Sequence, residues 1–308
     1  MRDQIKKKHA FLILAHKNMY QVGEMLLALD HPRCDFFVLI DQKCEEDFTG
    51  LKKYIKKGNL FFTKRISASW GGDTLIRAEL ILIEAATSKD HYEYYHFLSG
   101  QDFPLKPIDE ILSFYDQHAG EEFISIDDNP KLITNRVKYY YPFQNKFNRN
   151  NLMGKVMRRM GIILQKIVRI NRIDGKIQYG IGSQWFDITD AFARYVLSQK
   201  VFIKKYFKDG FCVDEIFLQT VYLNSGDRFK RYTANRCEKH PYIQDTYFDV
   251  CRAIDWTRGN PYIYTNEDIP MLMESGCLFA RKFDFTRDPE LLKAIKYRID
   301  AAMFEKRI

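Results

Sequence analysis

Short apolar runs in the first hundred residues, most of them closed by a polar cluster, constrain this chain more than any other feature. Residues 11–14 (Phe-Leu-Ile-Leu) lead to His16-Lys17-Asn18, residues 36–40 end at Asp41, and residues 94–98 end at Ser99-Gly100. A further run covers 59–63. Between them, 19–29 and 74–86 carry apolar residues at helical spacing, with Leu75, Ala78, Leu82 and Ala85 on one face of the second. Strand, helix, strand at this interval predicts βαβ units and a mostly parallel sheet covered on both faces. A helix over 108–115 and a strand over 123–126 continue the pattern. In such sheets ligands bind beyond the carboxyl ends of the strands. That singles out His16-Lys17-Asn18, Asp41-Gln42-Lys43 and Ser99-Gly100-Gln101-Asp102.

Composition narrows the class. The 308 residues are 46% apolar and 15% aromatic, which excludes a disordered chain. No apolar stretch approaches the roughly 20 residues of a membrane span. The basic residues 1–9 are followed by an apolar run, 10–15, that is too short for a signal-peptide core, so a mature cytosolic chain is expected. Cys34, Cys44, Cys212, Cys237, Cys251 and Cys277 make no CxxC pair and no zinc-type cluster, so free thiols and no structural metal are expected. Net charge is +8, and residues 146–176 hold nine Lys or Arg against one acid, Asp174, so the remainder sums to zero. Basicity confined to one segment speaks against nucleic-acid binding, which spreads it over a face. No GxGxxG follows the first strand and no P-loop motif occurs. The expected layout is one domain over 1–308 that contains a basic amphipathic subregion, 146–176.

Within that subregion, 151–170 places Met153, Val156, Met157, Met160, Leu164, Ile167 and Val168 on one side of a helix. Arg158, Arg159, Lys166 and Arg169 fall largely on the other. Helices are also expected over 188–197, 214–223 and 289–304. Asp214-Glu215 opens the second of these, either as ordinary N-terminal acids or with one carboxylate as a general base. Lys282 interrupts the apolar run 278–283, and Arg258 lies 24 residues before it. Two fixed cations of this kind can neutralise a departing pyrophosphate. The metal-clamping D-x-D pair is missing from the sequence. Asp127-Asp128 would diverge on a strand, and Glu45-x-Asp47, the nearest substitute, is expected on a helix surface. Trp70 precedes a helix, either as a core anchor or stacked on a sugar or base. Residues 136–141 (Arg-Val-Lys-Tyr-Tyr-Tyr) read as an acceptor contact or a strand with amphipathic rings.

Taken together, Ala15-His16-Lys17-Asn18, Ile40-Asp41-Gln42-Lys43, Ala68-Ser69-Trp70-Gly71-Gly72 and Ser99-Gly100-Gln101-Asp102-Phe103-Pro104-Leu105-Lys106 resemble the core-2/I-branching β-1,6-N-acetylglucosaminyltransferase family, which includes peptide O-xylosyltransferases. Gly182-Ser183-Gln184-Trp185-Phe186, Val213-Asp214-Glu215 and Leu278-Phe279-Ala280-Arg281-Lys282-Phe283-Asp284 continue the resemblance in family order. It implies a GT-A-type α/β fold and inverting, metal-independent transfer from a UDP-sugar, with no cofactor. It further implies Glu215 as catalytic base and Lys282 as a diphosphate-binding cation. Arg258 is a second such cation if one residue is inserted before Asp268. Donor contacts fall on His16, Asp41, Trp70 and Asp102, and acceptor contacts on Asp214, Trp185 and Trp256. Between about 127 and 180 the resemblance fails and carries over no residue.

The expected reaction moves GlcNAc from UDP-GlcNAc to a hydroxyl of a glycan or lipid-linked glycan, with UDP-xylose as the alternative donor. A chain read without anchor or signal suggests a bacterial-type cytosolic member. Its segment 146–176 would then touch an anionic membrane at the inner leaflet. The remote alternative is a nonenzymatic basic module that binds RNA or membrane.

Overall fold

In the computed structural model, residues 7–127, 130–145, 151–235 and 239–305 are described. Asp128, Lys146, Arg149 and Cys237, which figured in the expectations above, lie outside them. The strands are β1 (His9–Ala15), β2 (Cys34–Ile40), β3 (Asn59–Phe62), β4 (Tyr94–Ser99), β5 (Asp102–Pro104), β6 (Glu121–Ile124), β7 (Phe186–Thr189), β8 (Lys230–Arg231), β9 (Arg252–Ile254) and β10 (Phe279–Arg281). Among the described residues, seven form one sheet in the order β3-β2-β1-β4-β7-β6-β8, and β5-β10-β9 form a second. β1 pairs in parallel with β2 and β4, and β2 with β3. β7 runs antiparallel to β4 and β6. This is the α/β, mostly parallel mixed sheet that a GT-A-type reading requires.

The near-continuous apolar strands follow from burial on both faces. Phe11 and Ile13 of β1 enter the core that holds the helices Met19–Ala28 and Pro289–Glu305. Ala10 and Leu12 face the opposite core, with Thr74–Lys89 and Asp190–Ser198. β2 is buried along its whole length.

The two sheets are joined by a charge pair. Arg252 on β9 and Asp187 on β7 are fully buried and bonded through both guanidinium ends, at 2.9 and 2.8 Å. His96 of β4 (2.9 Å) and the Tyr115 hydroxyl (2.7 Å) complete the shell around the carboxylate. Burial pushes the Asp187 carboxyl up, but Arg252 and His96 outweigh it and hold its pKa at about 2.

Four local expectations change. Residues 188–197 divide into β7 and a helix starting at Asp190, because the Thr189 hydroxyl accepts from Phe192 N (3.2 Å) and caps it. Residues 214–223 divide into a single turn, Val213–Glu215, and the helix Phe217–Leu223, so Asp214 is buried in the turn and caps no helix. Glu45 and Asp47 lie in a loop rather than on a helix, and Asp47 is occupied by Thr49 N and Oγ1. Residues 136–141 form no strand. Arg136 and Val137 close the helix Pro130–Val137 and a loop follows.

Replacing Asp187 by Ala leaves the Arg252 charge in the core without its carboxylate. A loss of about 3–5 kcal/mol in unfolding free energy is expected by denaturant titration. A loss below about 1 kcal/mol would show that the pair carries little of the fold.

Candidate active site

The carboxyl ends of β1, β2 and β4 form one rim. After β2, the buried Asp41 accepts from Lys43 N (2.8 Å) and Ala68 N (3.1 Å), which draws the loop before Trp70 onto the strand end. His16 lies exposed beyond β1. Partial burial lowers its pKa first. Lys17, Lys282 and Lys43 lower it further, and Asp41 opposes them. Charges from three separate loops therefore converge on this imidazole.

Lys282 reaches the rim from the end of β10, where Tyr264 N donates to its carbonyl (2.9 Å). Burial lowers its pKa, and Arg281 and Lys17 add to that. Among the described residues its ammonium makes no ion pair or hydrogen bond. Asp284 opposes these shifts from nearby but does not touch the ammonium, and a half-buried cation with no carboxylate in contact favours an anionic ligand. Arg258 differs. It is held by Asp255 (2.5 Å) and Asp268 (2.7 Å) and stacks on Tyr242 (4.2 Å) and Tyr262 (4.1 Å). Two carboxylates already match its charge, while Tyr262 places it beside the Lys282 backbone (3.4 Å).

Glu215 stands on the turn Val213–Glu215. The turn is entered through Cys212 in the left-handed region (φ 48°), a conformation that non-glycine residues rarely adopt. Three bonds hold it there: Cys212 N to Gly71 O (2.8 Å), Phe211 N to Arg136 O (3.1 Å) and Arg136 Nη1 to Cys212 O (3.2 Å). Gly71 itself has φ +71° with Phe211, Cys212 and Gln144 packed about it, so a side chain there would be strained and crowded. Arg136 also pairs with Glu215 Oε2. Oε1 has no partner among the described residues, so one oxygen is oriented and the other is left for a proton donor.

Arg281 and Tyr247 lie between the two halves. Arg281 pairs with Asp102 (3.4 Å) and covers the Trp185 ring at 4.0 Å. Burial lowers its pKa while Asp102 and Tyr247 oppose. Burial raises that of Tyr247, as does the charge of Glu215, while a Trp256 hydrogen bond and Arg281 oppose. Lys282 and Glu215 are thus linked through adjacent groups.

The expected contacts divide by exposure. His16, Trp70 (47% exposed), Trp256 (39%), Lys282, Arg258 and Glu215 are accessible. Trp70 is not a core anchor. Its ring meets Phe211 edge-on at 5.9 Å. Asp41, Asp102, Trp185 and Asp214 are buried at 5%, 1%, 6% and 6% exposure. The Ser99–Asp102 turn folds the Asp102 carboxylate back onto Ser99 N (2.6 Å), and Trp185 stacks on Phe97 (5.4 Å). As placed here they brace the site from beneath rather than offer a surface to donor or acceptor.

A family model described as Core-2/I-Branching enzyme matches residues 9–272. The chain belongs to the core-2/I-branching enzyme family. It is a glycosyltransferase, and the nonenzymatic RNA- or membrane-binding reading is set aside. Similar proteins include a zebrafish (Danio rerio) beta-1,3-galactosyl-O-glycosyl-glycoprotein beta-1,6-N-acetylglucosaminyltransferase 4, 22% identical over 96% of this chain and 71% of that one. The human N-acetyllactosaminide beta-1,6-N-acetylglucosaminyl-transferase is 24% identical over 94% and 71%. Xylosyltransferase oxt of Drosophila melanogaster is 24% identical over 89% of this chain and 31% of its own length.

Sequence reasoning did not single out Arg281, Tyr247 or Glu79 of this transferase. Two consecutive cations closing an apolar strand were a legible signal for Arg281. For Tyr247 and Glu79 the sequence held none. Glu79, on the helix Thr74–Lys89, is fully buried and accepts from Gln184 Nε2 (2.8 Å). Its Oε2 and Asp214 Oδ1 make no hydrogen bond to any described residue. Burial, then the charge of Asp214, raises the Glu79 pKa well above the usual range. Burial, then Glu215, pushes Asp214 up to about 8. A neutral acid pair therefore underlies the turn that carries Glu215.

Because the folded state holds its proton to about pH 8, against about 3.9 in an unfolded chain, the stability Asp214 contributes is complete below about pH 4 and lost as pH rises to 8. Asp214→Asn should flatten the fall in melting temperature between pH 5 and pH 8. An unchanged pH dependence would contradict a protonated Asp214.

Proposed function

We propose that this glycosyltransferase moves GlcNAc from UDP-GlcNAc to a hydroxyl of a glycan or lipid-linked glycan, with inversion and without a metal. The observation that carries the reading is a half-buried Lys282 that no carboxylate contacts, together with a Glu215 that has one oxygen held by Arg136 and one without a partner among the described residues. Glu215 takes the proton from the acceptor hydroxyl. The acceptor oxygen bonds to the anomeric carbon as the bond from that carbon to the diphosphate breaks, giving a β-linkage and UDP. Lys282 stabilises the charge that grows on the diphosphate, and Arg258 joins it if its guanidinium exchanges one carboxylate for phosphate. His16 and Trp70 then lie on the nucleotide side, where the buried Asp41 holds the loop before Trp70, and Trp256 lies on the acceptor side. Metal independence has family-level support, in keeping with the absence of a D-x-D pair from the sequence.

The names of the vertebrate relatives favour GlcNAc, and the name of the fly relative favours xylose. We take residues 1–308 as one transferase domain of a bacterial-type, cytoplasmic member. The free thiols of Cys34, Cys44, Cys212, Cys251 and Cys277 suit a reducing compartment.

Glu215→Gln should lower turnover by about 10²–10⁴-fold with UDP binding retained, the usual scale for a general base. Near wild-type turnover would remove Glu215 from that role. Activity should be complete in EDTA, whereas strict Mn²⁺ dependence would displace Lys282. A thermal-shift panel of UDP-sugars separates the donors, since the true one at 100 times its Kd adds about 2.7 kcal/mol. A larger shift with UDP-xylose would favour the alternative.

A further inference from the structure

The helix Leu152–Ile167 contains no buried residue. At 3.6 residues per turn, Met153, Val156, Met160, Ile163, Leu164 and Ile167 occupy an arc of about 100°. All six are exposed, Met153 at 65% and Ile167 at 69%. Lys155, Arg159 and Lys166 follow along one edge of this arc. The helix is held to the body from a different side. Gln165 donates to Tyr140 O (2.9 Å) and accepts from Tyr140 N (2.8 Å). Arg158 donates to Gln144 (3.3 Å) and covers the Phe211 ring at 5.0 Å. The apolar arc therefore points away from the protein, and the segment is not an ordinary helix packed on the core.

Charge decides what covers the arc. Residues 151–176 carry seven Lys or Arg and one acid, Asp174. A second copy of the chain laid on this face would bring like charges together. A protein partner would have to supply a long apolar surface edged with acids. An anionic bilayer supplies both, with headgroups for the cations and acyl chains for the arc. At about 24 Å, and charged along one edge, the helix suits the plane of the interface. No helix among the described residues is long and apolar enough to cross a membrane.

We propose that Leu152–Ile167 docks this protein on an anionic membrane surface, its apolar arc at the acyl boundary and Lys155, Arg159 and Lys166 at the headgroups. Because Arg158 of the same helix rests on Phe211, four residues before Glu215, docking brings the catalytic turn beside the bilayer. The proposal stands apart from the donor and the chemistry, since binding to lipid needs neither.

The full-length protein is mixed with sucrose-loaded vesicles of phosphatidylcholine alone or with about 30% phosphatidylglycerol, and the sedimented fraction is measured. Binding is expected to the anionic vesicles, to be weaker to neutral ones, and to fall at about 0.5 M salt. Met160→Glu with Leu164→Glu should weaken it at least about tenfold. Both side chains are exposed, so an unchanged melting curve confirms that the variant is folded. Lys155→Glu with Lys166→Glu should abolish the preference for anionic lipid. Equal sedimentation of a folded apolar-arc variant and the parent would overturn the proposal. So would absence of vesicle binding, with or without a dimer that the same variant disperses in light scattering.

Discussion

One buried ion pair, Asp187 with Arg252, sets the geometry on which the site depends. β7 belongs to the large sheet and β9 to the small one, so the pair fixes one sheet against the other. β10 lies between β9 and β5, with Arg281 in register with Asp102. The cations that end β10 therefore take their position from a charge interaction outside the cleft. Burying both charges is costly unless each is matched and fully bonded. Here His96, Tyr115 and the carbonyls of Val250 and Phe97 bond both carboxylate oxygens and both guanidinium ends, and Arg252 Nε alone has no partner among the described residues.

The site separates charge along its length. At one end Lys17, Lys43 and Lys282 gather around His16, with the Asp41 carboxylate already used by backbone N–H groups. At the other, Glu215, Asp214 and Glu79 are arranged in depth. The outer carboxylate is paired with Arg136, and the inner two are held neutral by burial. Arg281 and Tyr247 separate the ends. A cation-rich end suits a leaving diphosphate, and an accessible carboxylate suits a hydroxyl proton. Keeping the second and third acids neutral avoids three adjacent negative charges, an arrangement that low dielectric penalises heavily.

Much of this was legible in order and little of it in depth. The strand runs and their polar ends located the rim. The apolar run 278–283 located β10 and Lys282 stood out within it, whereas no pattern announced β5 and only the resemblance singled out Glu215. Depth is what the motifs do not record. Asp102, Trp185 and Asp214 stand in motifs beside the site, but the turn at Ser99, the stacking on Phe97 and the strained Cys212 carry those side chains beneath its surface. Likewise, the sequence shows that the helix Leu152–Ile167 is amphipathic. Only its attachment through Gln165 and Arg158 shows which side is left open.

By itself, then, the sequence determined the strand and helix alternation, the residue types that end each strand, and the confinement of basic charge to one segment. These are local properties, written in period and composition. Tertiary structure decided which groups meet: Glu79 with Asp214 across 135 residues, Arg136 with Glu215 across 79, and Asp187 with Arg252 across 65. Burial and pairing set the charge of each of these groups. Both depend on contacts between distant segments, which no local pattern records.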